Sequence, residues 1–199
     1  MSKTAVLLLA AGSASRMGRP KQLLKWKNTT ILGNAIHVAS QLKVEKTVLV
    51  LGAHYDSIIS NISKGNHITI KNDDWEQGLG NSIAFGVRFI KESFSEIENI
   101  LIMLTDQPLI DYNFLKHMIE RPILTKKQIV CTAYKNKKLG VPAMFNKIYF
   151  KELMQLNSDI GARDILKKYT NELIHLNGED IIQDIDTMDD YNALYNKHH

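Results

Sequence analysis

Hydrophobic positions along the chain follow two periods. "TAVLLLA" (4–10), "KTVLVLG" (46–52) and "NILIML" (99–104) are unbroken apolar runs, the pattern of strands buried on both faces of a sheet. "HITIKN" (67–72) alternates as a half-buried strand does, and "QIVCTAY" (128–134) is a further short apolar strand. Between these runs apolar residues recur at helical spacing: Ile31, Ala35, Val38 and Leu42 within 30–42, and Ile83, Val87, Ile90 and Phe94 within 81–94. Helices are also expected over 54–62, 112–120, 146–156, 162–169 and at "MDDYNALY", while "LIHL" and "IIQDID" read as edge strands.

Apolar strands alternating with helices specify an α/β fold. The expected architecture is three-layer and Rossmann-like, with a mostly parallel sheet covered by helices on both faces. Ligands of such sheets bind beyond the carboxyl ends of the strands. That directs attention to residues 10–21, 52–54, 72–82 and 105–108. No repeat or linker interrupts the pattern, so residues 1–199 are expected to form one domain.

Composition narrows the function classes. The net charge of +4 is mild and its cations are scattered, without the basic stripe and interleaved aromatics of a nucleic-acid binder. The single cysteine, Cys131, rules out an intramolecular disulfide and a Cys-rich zinc site. It lies in an apolar segment and reads as core. No secretory leader is visible and no apolar run reaches membrane-spanning length. A cytoplasmic protein with neither membrane nor nucleic acid as partner is expected.

The first strand leads into "LAAGSASRMGRPKQLL" (9–24), a loop of small residues carrying Arg16, Arg19 and Lys21. It is neither a P-loop nor a dinucleotide fingerprint, because Gly12 and Gly18 have the wrong spacing and Lys21 falls three places after Gly18. Either it is a solvated turn, or its N–H groups and cations receive a polyphosphate. In "LTDQP", Asp106 directly follows a buried strand. A carboxylate there is costly unless it is paired or bound to a cation, and magnesium is commonly held by one or two carboxylates plus substrate phosphates. The competing reading is turn or cap chemistry. The "NDDWEQGLGNS" segment, "SDIGARD" and the Asp184/Asp186 pair of "DIDT" are weaker candidates of the same kind.

Taken together, "LAAGSASRMGRPKQLL", "NDDWEQGLGNSI", "LTDQP", "GVPAMF", "SDIGARDIL" and "DIDTMDDY" resemble the MobA-like nucleotidyltransferases, and among them the molybdenum cofactor cytidylyltransferases. The resemblance implies transfer of CMP from CTP to the phosphate of molybdopterin, with Mg2+, and release of pyrophosphate. It implies nucleotide binding by Leu9, Ala10, Ala11, Gly12, Ser15, Lys21, Asn72, Asp74, Gly78 and Ser82. Catalytic roles fall to Arg16, Lys21 and Asp106, metal binding to Asp106 and Asp186, and acceptor binding to Pro142, Asp159 and Arg163. The implied partners are CTP, a molybdopterin-type acceptor and a molybdoenzyme that receives the product. CTP rather than GTP rests on "RPKQLL". Thr105 and Ser158 depart from the family, which often has glycine at both positions. The alternatives are the same chemistry with another acceptor, or a nucleotide-binding oxidoreductase or regulatory module.

Overall fold

The structure, a computed structural model, describes residues 3–121, 128–135 and 138–199. Its centre is a sheet of seven strands in the order β5-β4-β1-β6-β8-β7-β9. The strands are β1 (Thr4–Ala10), β4 (Lys46–Leu51), β5 (Ile68–Lys71), β6 (Asn99–Leu104), β7 (Ile129–Ala133), β8 (Leu139–Asn146) and β9 (Leu173–Asn177). β1 pairs in parallel with both β4 and β6, β4 with β5, and β7 with β9. β8 runs antiparallel to β6 and to β7. A two-stranded hairpin, β2 (Lys25–Trp26) with β3 (Thr29–Thr30), stands apart.

The apolar runs are explained by burial on both sides. Ala5, Leu7 and Leu9 of β1 enter one core with Ile83, Val87 and Ile90 of helix α3 (Leu79–Ser93). Val6, Leu8 and Ala10 enter the other core. There they meet helix α1 (Ile31–Ser40), Ile58 of α2 (Tyr55–Ile59), and Leu115 and Met118 of α4 (Tyr112–Glu120). Every residue of β1 is buried as a result, and alternation cannot appear. Helix α1 starts where Thr30 caps Gly33 N–H at 3.0 Å, and α4 where Asp111 caps Phe114.

Three expectations need correction. First, residues 139–145, to which the sequence reading assigned no element, form β8 together with Asn146. Pro142 argues against a central strand, but it sits where the β7–β8 register shifts between Cys131 and Thr132. Its carbonyl accepts from Thr132 Oγ1 there at 2.8 Å. Second, 146–156 is not one helix but a 3-10 turn (Lys147–Tyr149) followed by the short α5 (Phe150–Leu153). Third, "IIQDID" is not a strand. The N–H groups of Ile181 and Ile182 turn back onto Gly178 O, and the chain then runs irregularly to Asp186.

That irregular run has a structural use. Ile185 is fully buried with Met17, Leu24, Trp26, Ile31 and Leu194 in a third core. Leu194 comes from the last helix, α7 (Met188–His198), which opens with a reciprocal capping box between Thr187 and Asp190. The cationic loop is therefore clamped between the main sheet and the C-terminal segment. Among the described residues no helix is long and apolar enough to cross a membrane. Cys131 is fully buried, and burial pushes its thiol up to about 12.

Candidate active site

A cleft of about 340 Å³ opens at the carboxyl end of β1 and β6. The expected residues Leu9, Ala10, Ala11, Gly12, Lys21, Gly78, Ser82, Asp106 and Asp159 all line it. Its wall is held by hydrogen bonds that consume the loop's carbonyls. Gln22 Nε2 donates to Ala10 O and Gly12 O, both at 3.0 Å, and Ala53 N–H donates to Ala11 O. Among the described residues the N–H groups of Gly12, Ser13 and Ala14 donate to no protein acceptor. A run of free peptide donors beside a cationic side chain is an anion-binding surface.

Lys21 is the hub. Its Nζ donates to Asp106 Oδ2 at 2.6 Å, to Ile185 O at 2.8 Å and to Asp186 Oδ1 at 3.3 Å. Burial by itself would lower its pKa, but the charges and hydrogen bonds of Asp106 and Asp186 outweigh that and raise it. The other Asp106 oxygen, Oδ1, is buried without a partner. Arg16 stands at the rim, largely exposed and 4.0 Å from Asp186. Among the described residues no three metal-ligating side chains converge. Asp106 and Asp186 fit a divalent ion that takes its remaining ligands from a substrate phosphate and water, and the unpartnered Oδ1 fits the same need.

The remaining expected residues lie around the cleft rather than on its lining. Asn72 is buried, donates to Asn81 Oδ1 and Ser82 Oγ, and accepts from Asp74 N–H, so it shapes the 72–82 loop. Ser15 and Arg16 belong to a 3-10 turn (Ser15–Met17). Pro142 is buried within β8, and Arg163 begins α6 (Arg163–Lys168) at a neighbouring depression. The two sides of the site meet at Gly78, whose φ is +98°. A Cβ there would fall 2.2 Å from Asp159 Oδ1. Next to it Gly80 N–H donates to Ser158 O at 2.7 Å. That contact uses the Ser158 backbone, so serine serves as glycine would. The Thr105 hydroxyl likewise finds a partner, Leu9 O, at 3.2 Å.

Sequence reading missed a polar network behind Asp106. Gln107 Nε2 donates to Asp184 Oδ1 at 2.7 Å and to the Tyr134 hydroxyl at 3.3 Å, and that hydroxyl donates to Val141 O. Burial first, with help from Asp184 and Asp106, pushes the phenol up to about 12. Asp184 keeps an exposed outer side. Its pKa is nonetheless raised, first by partial burial of the carboxyl and then by Asp106 and Asp186, against the Gln107 hydrogen bond. Gln22 was a missed residue with a visible signal, a polar residue set before two leucines.

Residues 6–173 match the MobA-like NTP transferase domain. The chain is 26% identical to the molybdenum cofactor cytidylyltransferase of Escherichia coli (strain K12), over 96% of this chain and 95% of that protein. It is also 26% identical to nicotine blue oxidoreductase of Paenarthrobacter nicotinovorans, over 92% of each. Rv0371c of Mycobacterium tuberculosis H37Rv superposes with a TM-score of 0.86 at 26% identity over 98% of each chain. The same protein is also known as a manganese complex, with a TM-score of 0.81, 25% identity and the same coverage. With a family match over most of its length and a phosphate-suited cleft at the carboxyl end of its sheet, this chain belongs to the MobA-like NTP transferase family and is a nucleotidyltransferase.

Proposed function

We propose that the protein transfers CMP from CTP to the phosphate of a molybdopterin-type acceptor, releasing pyrophosphate, with Mg2+ as the divalent ion. The observation that carries this reading is the Lys21 ammonium held between Asp106 and Asp186 at the mouth of a loop with free peptide N–H groups. An oxygen of the acceptor phosphate attacks the α-phosphorus as the bond from that phosphorus to the bridging oxygen breaks. The leaving pyrophosphate gains negative charge. Lys21 and Arg16 offset that charge, and the Gly12–Ala14 amides hold the phosphates in line. No protein nucleophile is needed. Asp106 and Asp186 would hold the divalent ion, which would supply further charge neutralisation at the phosphates.

Ala10, Ala11, Gly78 and Ser82 surround the space for base and ribose, and Asn72 and Asp74 shape the loop that carries the last two. Asp159, Arg163 and Pro142 lie toward the acceptor. The preference for CTP rests on the resemblance of "RPKQLL" and on the cytidylyltransferase relative. A molybdoenzyme is the expected recipient of the product, and the cytoplasm is the expected site.

The test is a thermal-shift titration with Mg2+ and CTP, GTP, ATP, UTP or NAD, on wild type and Lys21→Ala, followed by pyrophosphate release from CTP with molybdopterin. A CTP-selective, Mg2+-dependent rise that Lys21→Ala abolishes is expected. A rise with GTP alone would change the nucleotide. A rise with NAD and none with any triphosphate would sink the transferase assignment in favour of the oxidoreductase reading.

A further inference from the structure

A second depression, of about 210 Å³, shares no lining residue with the nucleotide cleft. It is lined by Lys138, Leu139, Arg163, Leu166, Lys167 and Thr170. The link to the reacting centre is short. Gln107 follows Asp106 and donates to the Tyr134 hydroxyl, and Tyr134 N–H donates to Lys138 O at 2.7 Å. Arg163 is near enough to that phenol for its charge to oppose the rise in the Tyr134 pKa. The depression is therefore linked to the carboxylate cluster through Gln107 and Tyr134, and it lies between the start of β8 and α6.

Its chemistry is lopsided. Leu166 is buried and Leu139 half-buried, giving an apolar floor. Three cations stand around it. Lys167 is 4.0 Å from Asp164. Among the described residues, neither Lys138 nor Arg163 has a carboxylate within ion-pair distance. Three cations line one depression with an apolar floor and a single carboxylate in reach, and such a one-sign concave surface attracts an anion.

We infer that this depression is a subsite for a second anionic group on the acceptor, carried on an apolar or aromatic body and separate from the phosphate that attacks CTP. The inference rests on the transfer reading above, in which the phosphate that attacks CTP lies in the cleft beside Asp106, outside this depression. It narrows the acceptor class. A phosphate ester with a neutral polyol tail leaves Lys138, Arg163 and Lys167 unmatched. An acceptor with an anion at its far end satisfies them and covers Leu139 and Leu166 as well.

The experiment uses 1-naphthyl phosphate, 1-naphthoate and neutral 1-naphthol as probes. Their binding is measured by fluorescence titration in the presence of Mg2+ and the unreactive α,β-methylene analogue of CTP, which fills the Lys21 site. Both anions are expected to bind wild type, with naphthol about fivefold weaker or more. Lys138→Glu and Lys167→Glu should each weaken the anions about fivefold, and the pair together more than tenfold. The dissociation constant of the CTP analogue should not change, which also shows that the variants fold. Naphthol binding as tightly as the anions, anion binding unchanged in the variants, or no probe binding at all would overturn the subsite. Failure of wild type to bind the CTP analogue is a separate result that removes the transfer reading itself. A preference between phosphate and carboxylate identifies which anion the subsite is built for.

Discussion

Replacing Lys21 by methionine removes the charge while keeping most of the apolar stem. In the protein as it stands, one ammonium serves two carboxylates and a carbonyl. The shortest contact, 2.6 Å to Asp106, joins side chains that are only 15% and 18% exposed. A hydrogen bond to a charged group is worth about 1.5–3 kcal/mol, and breaking a fully buried pair costs about 3–5 kcal/mol. This pair retains some solvent, and Asp186 is 48% exposed, so screening reduces the figure to about 2–3 kcal/mol. For a chain of this size that lowers the melting temperature by about 4–12 °C.

The sign with pH follows from the raised Lys21 pKa. The stabilisation is fully present below the unfolded value of 10.5 and is lost as pH rises through the folded value. On the alkaline side, wild type and Lys21→Met should therefore converge only above the raised folded value. A divalent ion supplies the check on the carboxylates. Manganese at a hundred times its dissociation constant returns about 2.7 kcal/mol, and it should raise the variant more than wild type, where Lys21 competes for the same oxygens. Differential scanning fluorimetry with and without manganese measures both effects. A variant melting within about 2 °C of wild type, or equal manganese shifts in the two proteins, would refute the shared cluster.

Three further outcomes are expected. Arg16→Ala should leave the ligand-free melting temperature nearly unchanged, since an exposed pair at 4.0 Å is worth about 0–1 kcal/mol. It should lower turnover with CTP about tenfold or more, and unaltered steady-state kinetics would remove its role. Gly78→Ala forces a side chain into a positive φ and against Asp159 Oδ1. It should destabilise by about 1–3 kcal/mol and weaken CTP binding by isothermal titration, and normal affinity would show that the junction does not shape the cleft. Asp184→Asn can still accept from Gln107 while removing a carboxylate whose pKa is raised from 3.8. Such a group disfavours the folded state once ionised, so the variant should melt above wild type at pH 7 and lose that advantage as pH falls toward 4. Identical differences at both pH values would contradict the assignment.

Much of the fold was legible because burial on both faces leaves an unmistakable mark. β1 and β6 are read to the residue, and the parallel half of the sheet with its ligand-binding end follows from them. The antiparallel insertion was not legible. Pro142 and Gly140 interrupt the apolar pattern of β8, and the register shift that accommodates them is a property of the pair, not of either strand. The core of the site was legible for a related reason. Lys21 and Asp106 stand at positions where a charge needs an explanation, whereas Gln107 and Tyr134 resemble ordinary polar residues until their hydrogen bonds are seen.

The segment 181–186 failed as a strand for a reason that bears on function. Its isoleucines suit an extended chain, but the apolar residues divide between cores: Ile182 packs against one and Ile185 fills another. Irregular backbone then does what a ladder strand cannot. Ile185 N–H donates to Asp106 O while Ile185 O accepts from Lys21, so the backbone of one residue grips both members of the short ion pair. Asp184 and Asp186 flank it, one reaching Gln107 and the other Lys21. A ladder strand would commit that N–H and that carbonyl to a neighbouring strand. The departure from regular structure near the end of the chain therefore matches the one in the first loop, and the two meet at Lys21.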